Sequence, residues 1–496
     1  MIASPPPGAA GPVAMPRRTA LGGAALGALA GVAGGAAFGA AMADQGTLAS
    51  VASLVRANSA TLGLGVHMLI AVVIGAGFGL FVAGRRSGAG ETLFWGLTYG
   101  AVWWFLGPLT LLPYLSGRPV AWHLPAAQAE VPSLMGHLLY GAVTALALVV
   151  LRRFADPAPV RLAPAGLLRA AVAGTVAAVG LAVVMESGLE PAAALAAPAG
   201  LARGPATVVV GLVFGAGYAL LHPDAPGGAG PGVVRGSAYG FAWWVIGRLT
   251  LVPVLSGDGL AWSLPAVREA FPVLPGLVLL GAATAVLRIW LDGATRALLT
   301  DDVRRLEEEG AGARSLRAVG RGVLAGLVGG LVFTALMVQI GFLPTVARLA
   351  GSRSVSTGLV VHLLISQFIG ASYGLLFRRR SYDVGSALGW GVSYGFFWWV
   401  LGALTLFPVL LGVSPRWDVD GVAARFPSLV GHLAYGAALG VAYFRLEARV
   451  SPWWVARTEA EADRALLRRQ ETLTAAPALW SLTVIVALTI PLLVAR

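Results

Sequence analysis

Apolar runs long enough to cross a bilayer recur along this chain, and few architectures can accommodate them. A membrane-spanning helix needs about 20 mostly apolar residues. Thirteen such segments can be drawn, near 20–42, 62–83, 92–115, 132–152, 167–186, 205–222, 236–256, 271–291, 320–341, 356–377, 387–411, 427–446 and 478–495. Lipid offers the backbone no hydrogen-bond partners, so runs of this kind must satisfy their own amides and carbonyls as helices. Charged residues make up only 12% of the sequence, against about 25% in soluble domains. The expected fold is therefore all-α and integral to the membrane.

The segments are not independent of one another. The third, seventh and eleventh read Gly96-Leu-Thr-Tyr-Gly-Ala-Val-Trp-Trp-Phe-Leu-Gly-Pro-Leu-Thr, Gly236-Ser-Ala-Tyr-Gly-Phe-Ala-Trp-Trp-Val-Ile-Gly-Arg-Leu-Thr and Gly391-Val-Ser-Tyr-Gly-Phe-Phe-Trp-Trp-Val-Leu-Gly-Ala-Leu-Thr. The same register continues without gaps through Pro113, Pro253 and Pro408, then Trp122, Trp262 and Trp417, then Gly136, Gly276 and Gly431. A period that persists across loops marks an internal repeat. The expectation is three tandem four-helix units plus one C-terminal helix. Their bounds are 20–155, 165–292 and 320–447, followed by a transmembrane helix at 478–496. The N-terminal stretch 1–19 is expected to be disordered and cytoplasmic. A charged linker at 293–319 and a cytoplasmic segment at 448–477 complete the chain. An even number of crossings per unit makes the repeats parallel rather than inverted.

Orientation comes from arginine. Every basic residue is Arg, and with the N-terminus inside, 25 Arg fall on the inner side, 9 on the outer side and Arg248 within a helix. That bias obeys the positive-inside rule. It accounts for the net charge of +12 through topology and anionic lipid heads, without a nucleic-acid partner. The absence of Lys, with heavy use of Ala, Gly and Pro, suggests a high-GC bacterial genome and hence a plasma-membrane location. The N-terminus would be cytoplasmic and the C-terminus outside. Arg17-Arg18 ahead of an apolar run mimics a twin-arginine signal. However, Gly31, Gly35 and Met42 match Gly326, Gly330 and Met337, so the segment reads as the first helix of unit one. With no Cys in the chain, disulfides, thiolate metal sites and Cys nucleophiles are excluded. Trp122, Trp262 and Trp417 read as interfacial anchors.

Few residues could carry chemistry. His67 and His137 fall at similar depth near the outer ends of their helices, and unit three repeats the pair as His362 and His432 with the same spacing. Unit two has Thr207 and Leu277 instead, and Leu280 in place of Tyr140 and Tyr435. Paired imidazoles in a four-helix bundle suit axial ligation of haem b or another metal. Met42 and Met337 are candidate soft ligands. The competing reading is an imidazole hydrogen-bonded to a neighbouring helix. Arg248 stands where the other units have Pro108 and Ala403, and Glu186 is its candidate partner. No phosphate loop, dinucleotide fingerprint or catalytic triad is visible, so enzymatic activity is not expected.

Each unit resembles the YagU-like group of four-helix bacterial inner-membrane proteins. The resemblance rests on Met42, His67, Gly75, Phe78, Tyr99-Gly100, Trp104, Pro113, Ser133-Leu134 and His137-Leu-Leu-Tyr140-Gly141. The third unit matches it with Met337, His362, Gly370, Tyr373, Tyr394-Gly395, Pro408, Ser428-Leu429 and His432-Leu-Ala-Tyr435-Gly436. It implies a four-helix fold and no particular activity. The functional expectation is a non-enzymatic protein that transports a small solute or ion, or serves as a membrane component of a larger complex. The rival expectation is a haem- or metal-binding redox protein.

Overall fold

The computed structural model describes residues 17–83, 88–155, 164–184, 203–223, 228–299, 311–378, 380–448 and 476–495. Every regular element among them is helical. The long helices are α1 (Arg17–Asp44), α2 (Ala60–Ala83), α3 (Ala89–Leu106), α4 (Val131–Ala155), α5 (Pro164–Val184), α6 (Arg203–Leu221), α7 (Ala229–Trp243) and α8 (Val273–Leu299). They continue with α9 (Ala311–Gln339), α10 (Val355–Phe377), α11 (Val384–Trp398), α12 (Phe426–Ala448) and α13 (Ala476–Val494). Among the described residues eleven helical stretches are long and apolar enough to cross a membrane, and Pro205–Leu221 is apolar but shorter. This is the build of a polytopic all-α membrane protein. The stretch through α3 falls outside the eleven. Residues 300–310 of the expected charged linker and 449–475 of the later segment, like residues 1–16, lie outside the described residues, while the two ends of that linker are helical.

Glycine sets how closely the helices pack. Gly27 and Gly31 on α1 lie directly against the backbone of Gly75 and Gly79 on α2, so that an added Cβ would overlap main-chain atoms. Gly96 on α3 meets Gly141 on α4 in the same way. The seams recur as Gly174 with Gly211 and Gly215, Gly236 with Gly281, Gly326 with Gly370, and Gly391 with Gly436. Lipid supplies no hydrophobic drive between helices, so close van der Waals approach does the work. The result is three clusters: α1 packs on α2 and α4, and α3 on α4. Likewise α5 packs on α6 and α8 with α7 on α8, and α9 packs on α10 and α12 with α11 on α12.

The third helix of each cluster widens into a π-turn, at Gly107–Leu111, Trp244–Leu251 and Trp399–Leu406. A threonine stabilises each one. The hydroxyls of Thr110, Thr250 and Thr405 donate to the carbonyls five residues earlier, at 2.8, 2.9 and 2.8 Å. The indole N–H of Trp122, Trp262 or Trp417 then donates to that same hydroxyl at 3.0, 3.1 and 3.0 Å. Only Trp122 fits the anchor role, being 58% exposed. Trp262 and Trp417 are 0% and 2% exposed. They are corrections to the sequence reading: Trp262 packs near Phe38 of the first cluster and Trp417 against Gly276 of the second. Burial between clusters outcompetes the interface because these rings find partners there.

The clusters follow one another by repeated contacts. His222, just past α6, sits on Gly90 of α3, and Phe377 of α10 sits on Gly230 of α7. Helix α13 packs against α3, α7 and α11 alike. The ring of Trp480 lies against Gly389 and meets Trp390 edge-on at 5.4 Å. The far end of α13 is capped by side chains from two clusters. Gln128 donates to the Leu492 and Ala495 carbonyls at 3.1 and 2.8 Å, and Arg268 to those of Leu493 and Ala495 at 2.8 and 2.5 Å.

Candidate functional site

The four histidines bond to backbone. The His67 Nε2–H donates to the Gly35 carbonyl on α1 at 3.0 Å, and His362 does so to Gly330 at 3.1 Å. The Nδ1–H groups of His137 and His432 donate back along their own helices to Ser133 and Ser428, both at 2.8 Å. Tyr140 and Tyr435 complete the set. Their hydroxyls donate to Ala71 and Ser366 at 2.7 Å each, tying α4 to α2 and α12 to α10.

This geometry does not make a haem site. An axial pair must present two imidazole nitrogens to one iron from opposite faces. Phe38 instead touches both rings edge-on, at 5.3 Å from His67 and 5.1 Å from His137. Phe333 does the same to His362 and His432, at 5.4 and 4.9 Å. The phenyl ring fills the ground a porphyrin would need. Among the described residues no group of three His, Cys, Asp or Glu could hold a metal ion. Purified protein is therefore expected to show no Soret band. A b-type band that halves in His137→Ala would reinstate the haem reading.

Arg248 lies in the second π-turn, partly buried, with its Nε unpartnered. Its candidate partner Glu186 lies outside the described residues.

A different group of polar residues gathers at the face where α1 begins. Arg288 on α8 is 2% exposed. It donates to the carbonyls of His222 and Pro223 at 2.7 and 2.9 Å, and its Nε lies 3.6 Å from Asp292. Asp292 also holds Arg169 of α5, at 2.5 Å. The Arg288 guanidinium stands 5.8 Å from the Tyr218 ring centre. Arg235 at the start of α7 and Glu91 at the start of α3 are both buried as well. The His222 ring packs on Tyr218 and Phe94, at 4.8 and 5.7 Å. Burial, and then the charges of Arg235 and Arg288, hold its imidazole well below the usual histidine range and therefore neutral.

Sequence reasoning missed this cluster although the signal was present. At register-matched positions the second cluster carries charged or polar residues where the others are aliphatic or aromatic. Arg288 stands against Leu148 and Tyr443, Arg235 against Trp95 and Trp390, and His222 against Val82 and Phe377. A buried charge in a membrane helix is costly unless partnered, so a charge gained at an apolar repeat position deserved the weight given to the lost histidines. No protein-family model, curated protein or solved structure matches this chain.

The neutral His222 carries a pH consequence. Its folded pKa is depressed, so below about pH 6.5 the unfolded chain binds a proton that the fold does not. Stability should fall as pH drops from 6.5. His222→Phe, which installs the residue found at Phe377, should flatten that slope in thermal scans between pH 7.5 and 5. An unchanged slope would remove His222 as its cause.

Proposed function

We propose that the chain is three tandem YagU-like four-helix units, closed by a thirteenth helix, and acts as a non-enzymatic membrane component of a larger assembly. The repeat reading is supported by the shared register and by contacts that recur in it, from the glycine seams to the Trp–Thr–π-turn motif. The observation that carries the functional reading is the position of α13. Its Leu479, Leu482, Val486, Ile490 and Leu493 side chains are buried among the third helices of all three clusters. A hydrophilic solute passing there would meet no replacement for its hydration shell. In proteoliposomes, the protein should leave proton, potassium and glycerol permeability at the level of empty vesicles. Measured flux above that level would sink the assembly reading.

Small-solute or ion transport is the second reading, and the buried charges around Arg288 and Arg235 favour it. If they form a pathway, Arg288→Met should abolish flux while leaving the protein folded. The arginine bias supports a bacterial plasma-membrane location with the N-terminus cytoplasmic and the C-terminus outside. A cysteine placed at Gly88 should then be shielded from an impermeant external thiol reagent, and one at Pro119 should react. The reverse pattern would invert the topology.

A further inference from the structure

A cavity of about 40 Å³ lies between α7, α8, α11 and α13. Its wall is apolar for most of its extent, with Phe396, Val486 and Ile490 among the lining residues. Three hydroxyl-bearing residues, Ser237, Ser393 and Thr483, interrupt that wall. Thr483 donates to the Leu479 carbonyl of its own helix at 2.9 Å. The hydroxyls of Ser237 and Ser393 are buried with no partner, and Ser393 is only 3% exposed. A buried hydroxyl without a hydrogen bond is destabilising, so two of them beside one cavity call for an occupant.

We propose that this cavity binds one small uncharged alcohol, a molecule with a single hydroxyl and a short apolar body. The volume allows roughly three water-sized groups. Three waters would suit it poorly, because each needs two to four polar partners and the wall supplies only these hydroxyls. A charged ligand is excluded by the wall, since no ionisable side chain lines it. A single alcohol group can donate to one serine and accept from the other while its carbons meet Phe396, Val486 and Ile490. Such molecules dissolve in the bilayer and so reach a site enclosed by membrane helices. The assignment stands independently of the assembly reading.

The test uses purified full-length protein and 2-fluoroethanol, followed by fluorine NMR. Saturable line broadening that ethanol displaces is expected. Ser393→Ala should weaken the apparent affinity at least tenfold, and Val486→Phe, which fills the cavity, should abolish the effect. Leu488→Phe, on the lipid-exposed stripe of α13, should leave it unchanged and controls for surface partitioning. Size-exclusion profiles and helical circular dichroism verify that each variant is folded. Broadening that stays linear with concentration means the cavity holds water or nothing and overturns the proposal. Saturable binding that is unaltered in folded Ser393→Ala and Val486→Phe overturns it equally.

Discussion

Ending the chain at Ala475 should produce a protein that inserts but no longer holds its three clusters together. Helix α13 is the element that α3, α7 and α11 all touch, and its loss removes two kinds of interaction. The first is the pair of side chains at its far end, where Gln128 and Arg268 make four hydrogen bonds to its last carbonyls. At about 0.6 kcal/mol each in a membrane, these contribute about 2 kcal/mol. The second is close packing, including the seating of Trp480 on Gly389. Lipid can wet the exposed faces but cannot reproduce that fit, so the dispersion loss adds to the hydrogen-bond loss. The truncated protein is expected to melt at a lower temperature in detergent and to broaden on size exclusion. A synthetic peptide of residues 476–496 should restore both properties when added in trans. A truncated protein with an unaltered melting temperature would show that the clusters hold one another without α13.

Eleven helices among the described residues are long and apolar enough to cross a membrane, as the apolar runs predict, and the reason is physical. In lipid the length of an apolar run alone forces a helix, and a glycine register such as Gly27-Gly31 marks the face that approaches a neighbour. What a one-dimensional pattern does not carry is which cluster a side chain meets after its own helix is built. Trp122, Trp262 and Trp417 look identical in sequence, yet two are buried, because Phe38 and Gly276 of the preceding clusters receive them. The C-terminal helix stands outside the shared register, so nothing in the sequence shows that its packing makes it common to all three clusters. The histidine pairs are legible in the sequence as candidate ligands. Their surroundings depend on Phe38 and Phe333, apolar residues with nothing in the sequence to link them to His67 or His432. The Arg288 cluster went unread for the opposite reason: its charges sit near helix ends, where the positive-inside rule absorbs any arginine as a topology signal.

The charges at Arg288 also permit a test that separates architecture from function. Asp292→Leu should be severely destabilising. It leaves Arg288 buried with two carbonyl partners and no counter-ion, and it releases Arg169 from its ion pair. Breaking a buried ion pair from one side costs about 3–5 kcal/mol. Asp292 keeps 19% side-chain exposure, so the lower end, about 3 kcal/mol, is expected. Replacing both charges should behave differently. The double variant Arg288→Leu with Asp292→Leu puts an apolar side chain where the first unit already has Leu148, and well-packed apolar replacements of a buried pair are often neutral or stabilising. Its melting temperature should return close to that of the unaltered protein, with Arg169, 30% exposed, extending its side chain toward water. If the double variant is as unstable as Asp292→Leu alone, the carbonyl bonds of Arg288 to His222 and Pro223 hold the loop after α6, and the ion pair is secondary. If it is stable, the fold does not need these charges. Their burial in a chain that is otherwise so apolar must then be explained by something they bind or move, and a flux or co-purification assay on the double variant becomes the decisive comparison.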